Sequence, residues 1–147
     1  MLTGCESITA GTSAVAGLVL CAASAAAWNQ IVEIPYDAKM VRTRNRPLPS
    51  GRLSKNQGIG FAVATGASGV ALLGLGANPL TGALGAANIA LYWLCYTPMK
   101  RWSAYNTHVG AVVGALPVVI GWTAGGGALL GGLDVVDPAP ALLFALL

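Results

Sequence analysis

The chain has 147 residues, of which 55% are hydrophobic and only 9% charged, with a mean hydropathy of +0.67 and a net charge of +3. Soluble domains carry about 25% charged residues, so this composition excludes an ordinary water-soluble domain and points to a polytopic membrane protein. A nucleic-acid partner is excluded too, because the basic residues are bracketed by apolar runs rather than spread over an exposed face.

In chain order, the opening MLTGCESITAGT has neither an Arg-rich transit pattern nor the basic flank of a signal peptide, and is expected not to be the native start. Residues 8–28 are uncharged and of membrane-spanning length, rich in the Ala, Ser and Gly that suit close helix packing. Trp28 ends this run as an interfacial anchor. The helix is expected to continue through Asn29 and Glu33 and to kink or stop near Ile34, because Pro35 follows. Asp37 then approaches from a loop or a reoriented turn. Pro47, Pro49 and Gly51 mark an ordered surface loop.

Residues 57–76 read as a second span, Asn78-Pro79 as a turn, 80–96 as a third span and 107–124 as a fourth, kinked at Pro117. A glycine-rich tract and a loop with Asp134 and Asp137 follow, and residues 139–147 begin another apolar run. Cys5, Cys21 and Cys95 have no metal-ligand spacing, and the last two read as small packing hydrophobes.

Alternating spans put loops 37–55 and 100–106 on one side and loops 77–80 and 125–138 on the other. All eight Lys and Arg fall in the first pair, and Asp134 and Asp137 in the second. The positive-inside rule therefore places both basic loops on the matrix or cytoplasmic face, where they can converge on one anion.

The segment NQIVEIPYDAKMVRTRNRPLPSGRLSKN, residues 29–56, holds eight of the thirteen charged side chains. Asn29, Glu33 and Asp37 are four apart, which on a helix keeps them within an arc of roughly 80°. Hard oxygen ligands in a line suit Mg²⁺ that also carries phosphates. Lys39, Arg42, Thr43, Arg44 and Arg46 follow within ten residues and can pair with phosphate oxygens. Two readings stay open on spacing alone: a Mg²⁺–diphosphate site, or a solvated positive loop that only sets orientation.

The run N-x₃-E-x₃-D followed by R-T-R-N-R-P-L-P-S-G resembles the first acidic motif of UbiA-type intramembrane prenyltransferases. Within that superfamily it is most similar to the protohaem IX farnesyltransferase (haem O synthase) family, in its mitochondrial form. A second block, Y-T-P-M-K-R at 96–101 followed by N-T-x-V-G-A-V-V-G-A-x-P at 106–117, resembles the same family. The resemblance covers residues 12–125.

It implies an all-α, UbiA-like transmembrane bundle, with residues 1–147 forming one partial domain of four full spans and the start of a fifth. These correspond to family helices two to five and part of six. The second acidic motif would lie beyond residue 147, so the chain alone is not expected to turn over. The resemblance further implies transfer of farnesyl from farnesyl diphosphate to a vinyl group of haem B, making haem O in the mitochondrial inner membrane, with a bacterial plasma membrane as the alternative. Asn29, Glu33 and Asp37 would hold Mg²⁺. Lys39, Arg42, Arg46, Thr97, Lys100 and Arg101 would bind the diphosphate, and Tyr96 would lie near the reacting carbon, offering its ring face to the cation.

Cytochrome oxidase assembly factors are implied as partners beside the bilayer. His108 reads as a polar end-cap rather than a haem ligand, and Trp28, Trp93, Trp102 and Trp122 as anchors or packing. Two alternatives remain: another aromatic or quinone acceptor in the same superfamily, and a non-catalytic packing or assembly protein whose charges only set topology.

Overall fold

A computed structural model describes residues 4–100 and 105–125, which are helix and turn without a strand among them. The order is α1 (Gly4–Asp37), α2 (Lys55–Gly76), α3 (Pro79–Ala90), a π-helical stretch (Leu91–Tyr96), a single turn α4 (Thr97–Met99) and α5 (Asn106–Ala124). Ile8–Asp37 of α1, all of α2 and all of α5 are long and apolar enough to cross a membrane. The protein is an integral membrane protein. The segment beyond residue 125, with Asp134, Asp137 and the final apolar run, and Arg101 and Trp102 in the second basic loop, lie outside the described residues.

Helix α1 packs against α2, α3, α5 and the π-helical stretch. Its closest crossing is with α2, where a Cβ on Gly69 would lie 2.8 Å from Cys21 Sγ and 2.9 Å from Gly17 O. Only a residue without a side chain lets the backbones meet this closely, which is the gain that small residues bring to packing in a bilayer. Leu73 and Ile120, both fully buried, centre the core beside Cys21, Ala14 and Ala124. Val15, Val19, Phe61, Val63 and Leu75 stay exposed on the outside. Apolar side chains inside and out, with no polar face, are what a helix surrounded by lipid shows.

Two sequence expectations are corrected. Pro35 does not end α1, which runs on to Asp37. A proline costs the helix one hydrogen bond, at the carbonyl four residues back, and here the helix continues past that loss. Asp37 therefore stands on the last turn of the same helix as Asn29 and Glu33, rather than on a loop. The third apolar segment is not one span of regular helix either. It is twelve residues of α3 followed by six π-helical residues, where Thr97 N–H bonds back to Tyr92 O. A continuous apolar run carries no mark of which carbonyl each N–H will choose, so this change was invisible to hydropathy.

The turn at Asn78-Pro79 is as expected. Asn78 caps α3 by accepting from Thr81 N at 2.8 Å, and its amide donates to Thr123 O on α5 at 2.7 Å. Thr81 Oγ1 and Thr123 Oγ1, both buried, lie 3.0 Å apart. This network ties the end of α2, the start of α3 and the end of α5 together, opposite the basic loops.

Residues 38–54 fold tightly over the other end of the bundle through successive turns, among them Met40 N to Asp37 O (3.2 Å), Arg46 N to Thr43 O (2.9 Å) and Leu53 N to Pro47 O (3.0 Å). Leu48 is the plug that holds this loop down. It is buried with Ile31 and Ala62, and a Cβ on Gly58 would lie 3.1 Å from its Cδ2. Gly51 takes φ +75°, the left-handed conformation that glycine adopts without penalty. Ser54 and Gln57 then close a reciprocal capping box that starts α2.

Candidate active site

The last three turns of α1 bring Asn29, Glu33 and Asp37 to one end of the bundle, as their spacing predicts. Each carboxylate meets a cation from a different segment. Glu33 Oε1 accepts from Lys100 Nζ at 3.2 Å, and Asp37 Oδ2 accepts from Arg46 Nη1 at 2.8 Å. The acidic side chains are the buried members of these pairs, at 13% and 6% exposure against 46% for Lys100 and 40% for Arg46. Burial of an unpaired carboxylate is costly, and each pair offsets part of that cost for its acid.

Around them lies an open basin of about 500 Å³, lined by Glu33, Asp37, Arg42, Thr43, Arg46 and Lys100 together with Tyr36 and Met40. Thr43 is buried and donates to Asp37 O at 3.0 Å, which folds the loop back onto the helix end. Arg42 is exposed and lines the basin without a carboxylate partner among the described residues. Lys39 is exposed and does not line it. Arg52 serves the loop itself, with Nε donating to Ser50 Oγ at 3.2 Å and its guanidinium reaching Asn45 O.

Thr97 is placed differently from a residue that faces the basin. It is buried at 2% exposure, with Oγ1 2.8 Å from Tyr92 O and 3.3 Å from Asn29 Oδ1. Asn29 in turn donates from Nδ2 to Glu33 Oε2 at 2.9 Å. The hydroxyl thus links the π-helical stretch to the amide beside the acid. The stacked rings of Trp28 and Trp93, 4.6 Å apart, join the same two elements. That stack bears out a packing role for both tryptophans.

A second, open cavity of about 380 Å³ lies between α1, the end of α3, the π-helical stretch and α5. Its walls are mostly apolar, with Ala22, Ala25, Val113 and Pro117 beside Tyr92 and Tyr96. Those two rings are 4.9 Å apart, and Tyr96 packs on Gly110. Tyr96 thus borders this cavity and not the basin. Sequence reasoning missed Tyr92 and Asn88 here, although both follow from Tyr96 by helical steps of four. His108 is exposed beside Tyr105 and lines neither cavity.

The carboxylates of Glu33 and Asp37 are the hard ligands that line the basin, while the Asn29 amide stands one turn behind Glu33, engaged by Glu33 and Thr97. Among the described residues no three His, Cys, Asp or Glu side chains cluster to hold a metal ion. Such a site does not form a closed protein cage. It fits the alternative, in which one or two carboxylates share a Mg²⁺ with the phosphates of a bound substrate.

Residues 3–147 match the UbiA prenyltransferase family. The chain belongs to that family. Among curated UbiA-family relatives, the human protein named protoheme IX farnesyltransferase, mitochondrial, is 55% identical over 118 residues, 80% of this chain and 26% of the relative. The Arabidopsis thaliana protein of the same name is 50% identical over 112 residues, 76% of this chain and 26% of the relative. The Emericella nidulans protein, also so named, is 50% identical over 111 residues, covering 76% and 22%. The chain spans about a quarter of the length of these UbiA-family relatives. No solved structure matches it.

Proposed function

We propose that the protein carrying this chain transfers a farnesyl group from farnesyl diphosphate to a vinyl group of haem B, making haem O in the mitochondrial inner membrane. The observation that carries the reading is the basin, where the buried Asp37 and half-buried Glu33 carboxylates on α1 stand beside Arg42, Arg46 and Lys100. A basin with both signs of charge suits a metal-bound diphosphate better than a lone anion or a lone cation. Identity of 50% or more to relatives named protoheme IX farnesyltransferase supports the choice of farnesyl donor and protohaem acceptor.

In this reaction the bond between the prenyl C1 and the diphosphate oxygen breaks, and its electron pair leaves with the diphosphate. The terminal vinyl carbon of haem B bonds to the allylic cation, and water captures the resulting cation with loss of a proton. Mg²⁺, when bound, neutralises charge on the leaving diphosphate. Asn29, Glu33 and Asp37 would hold that ion, and Arg42, Arg46 and Lys100 would hold diphosphate oxygens, with Lys39 and Arg101 as further cations for the diphosphate. Thr97 orients Asn29. Tyr96, with Tyr92, supplies ring faces to the allylic cation at the wall of the apolar cavity, which takes the prenyl chain.

Product analysis tests this. Membranes holding the protein are supplied with farnesyl diphosphate and either haem B or 4-hydroxybenzoate, and products are resolved by mass spectrometry. Haem O from haem B alone supports the reading. A prenylated hydroxybenzoate overturns it, and haem O formation that survives both Glu33→Gln and Asp37→Asn overturns the assignment of the basin as its site.

A further inference from the structure

Each carboxylate that would take the metal is held by one of the cations that would take the diphosphate. Glu33 Oε1 is occupied by Lys100 Nζ, and Asp37 Oδ2 by Arg46 Nη1. Glu33 Oε2 is also engaged, by Asn29 Nδ2. A cation that binds these carboxylates competes with the ammonium and guanidinium already on them, and an anion that binds Lys100 or Arg46 competes with the carboxylates. Lys100 and Arg46 are the more exposed partners, with room to swing into the adjoining basin while Glu33 and Asp37 stay put on the rigid helix.

We propose that the site loads by an exchange of partners: Lys100 leaves Glu33 and Arg46 leaves Asp37 for the diphosphate, as a divalent cation takes the two vacated carboxylates. This rests on the metal–diphosphate reading of the basin and adds to it a coupling between the two ligands. With neither ligand, the internal ion pairs satisfy the buried acids. With only one ligand, half the charges lose a partner. Both ligands together restore full pairing, so each raises the affinity for the other.

Arg42 supplies the control. It lines the same basin but pairs with neither carboxylate. If cations merely set a field around the site, removing Arg42, Lys100 or Arg46 should favour a divalent ion to a similar degree. Under partner exchange, only the two cations that occupy the carboxylates compete with the metal directly.

The test is a Mn²⁺ titration followed by electron paramagnetic resonance, on the protein in nanodiscs without diphosphate. Half-exposed ion pairs carry modest free energies, so Lys100→Gln should tighten Mn²⁺ binding by about threefold to fivefold. Arg46→Gln should do at least the same, and Arg42→Gln should change it by less than about twofold. Equal tightening by Arg42→Gln, or no tightening by Lys100→Gln, overturns the exchange while leaving the metal reading intact. Failure of every variant and the parent protein to bind Mn²⁺ overturns both. Lys100 is exposed, and circular dichroism of Lys100→Gln before titration checks its fold, so the outcome does not depend on whether Arg46→Gln folds.

Discussion

Lys100 and Glu33 are 67 residues apart in sequence and 3.2 Å apart in space, and their contact ties the start of the second basic segment to the end of α1, at the basin that Arg42 and Arg46 of the first loop also line. The positive-inside pattern places both basic segments on the same membrane face, and the basin lined by Arg42, Arg46 and Lys100 brings them together. That convergence is what makes two weakly informative charge clusters into one site.

Glu33→Gln and Asp37→Asn should each lower the rate of haem O formation by about a hundredfold or more, the usual cost of removing one charge-stabilising group from a reacting centre. Initial rates in membranes from matched expression levels measure this. Lys39→Gln should remain within about twofold, because an exposed lysine outside the basin wall contributes mainly a screened field.

Chelation should abolish turnover, and added Mg²⁺ should restore it. Circular dichroism should stay helical throughout the cycle, because Glu33 and Asp37 keep Lys100 and Arg46 as partners when no metal is present. Loss of helix on chelation would contradict a site whose acids are paired internally.

Thr97→Val removes a buried hydroxyl and leaves Tyr92 O without that donor. The expected destabilisation is about 1–3 kcal/mol, read as a lower melting temperature in detergent. Thr97→Ser, which keeps the hydroxyl, should recover most of the loss. If Thr97 acts only as a diphosphate contact, thermal stability would instead be unaffected by the valine.

Gly69→Ala should disrupt the crossing of α1 and α2, since its Cβ would meet backbone atoms of Gly17 and Cys21 at 2.9 Å. A cost of about 1–3 kcal/mol is expected from overpacking. Gly60→Ala is the matched comparison on the same helix, because nothing lies within 4 Å of its Cβ. Removing a helical glycine there should leave stability unchanged or raise it by up to about 1 kcal/mol.

Leu48→Ala should loosen the loop over residues 38–54 without melting the bundle. Emptying a buried leucine site costs about 2–5 kcal/mol, and here that cost falls on the plug rather than on the packed helices. Limited proteolysis in this loop should speed up well before the melting temperature of the whole protein changes. Diphosphate binding should weaken in parallel, because Arg42, Thr43 and Arg46 ride on the loop.

Much of this protein is legible from local chemistry. Uncharged runs of spanning length give the helices, Asn78 beside Pro79 gives a turn, and a step of four puts Asn29, Glu33 and Asp37 on one arc. Those features depend on a residue's own conformational preferences and on its near neighbours, so they survive without knowledge of the fold. Even the shared face of the two basic loops follows from counting spans and charges.

The tertiary structure decided which charges meet. Pairing of Glu33 with Lys100, the inward turn of Thr97 toward Asn29 and the separation of Tyr96 from the basin depend on how α1, the π-helical stretch and α5 pack. Pro35 shows the same limit from the other side, since its local preference against helix is overridden by the continuing path of α1. A side chain's partner is a non-local property, set by the helix–helix approach that glycines such as Gly69 permit, and no local pattern encodes it.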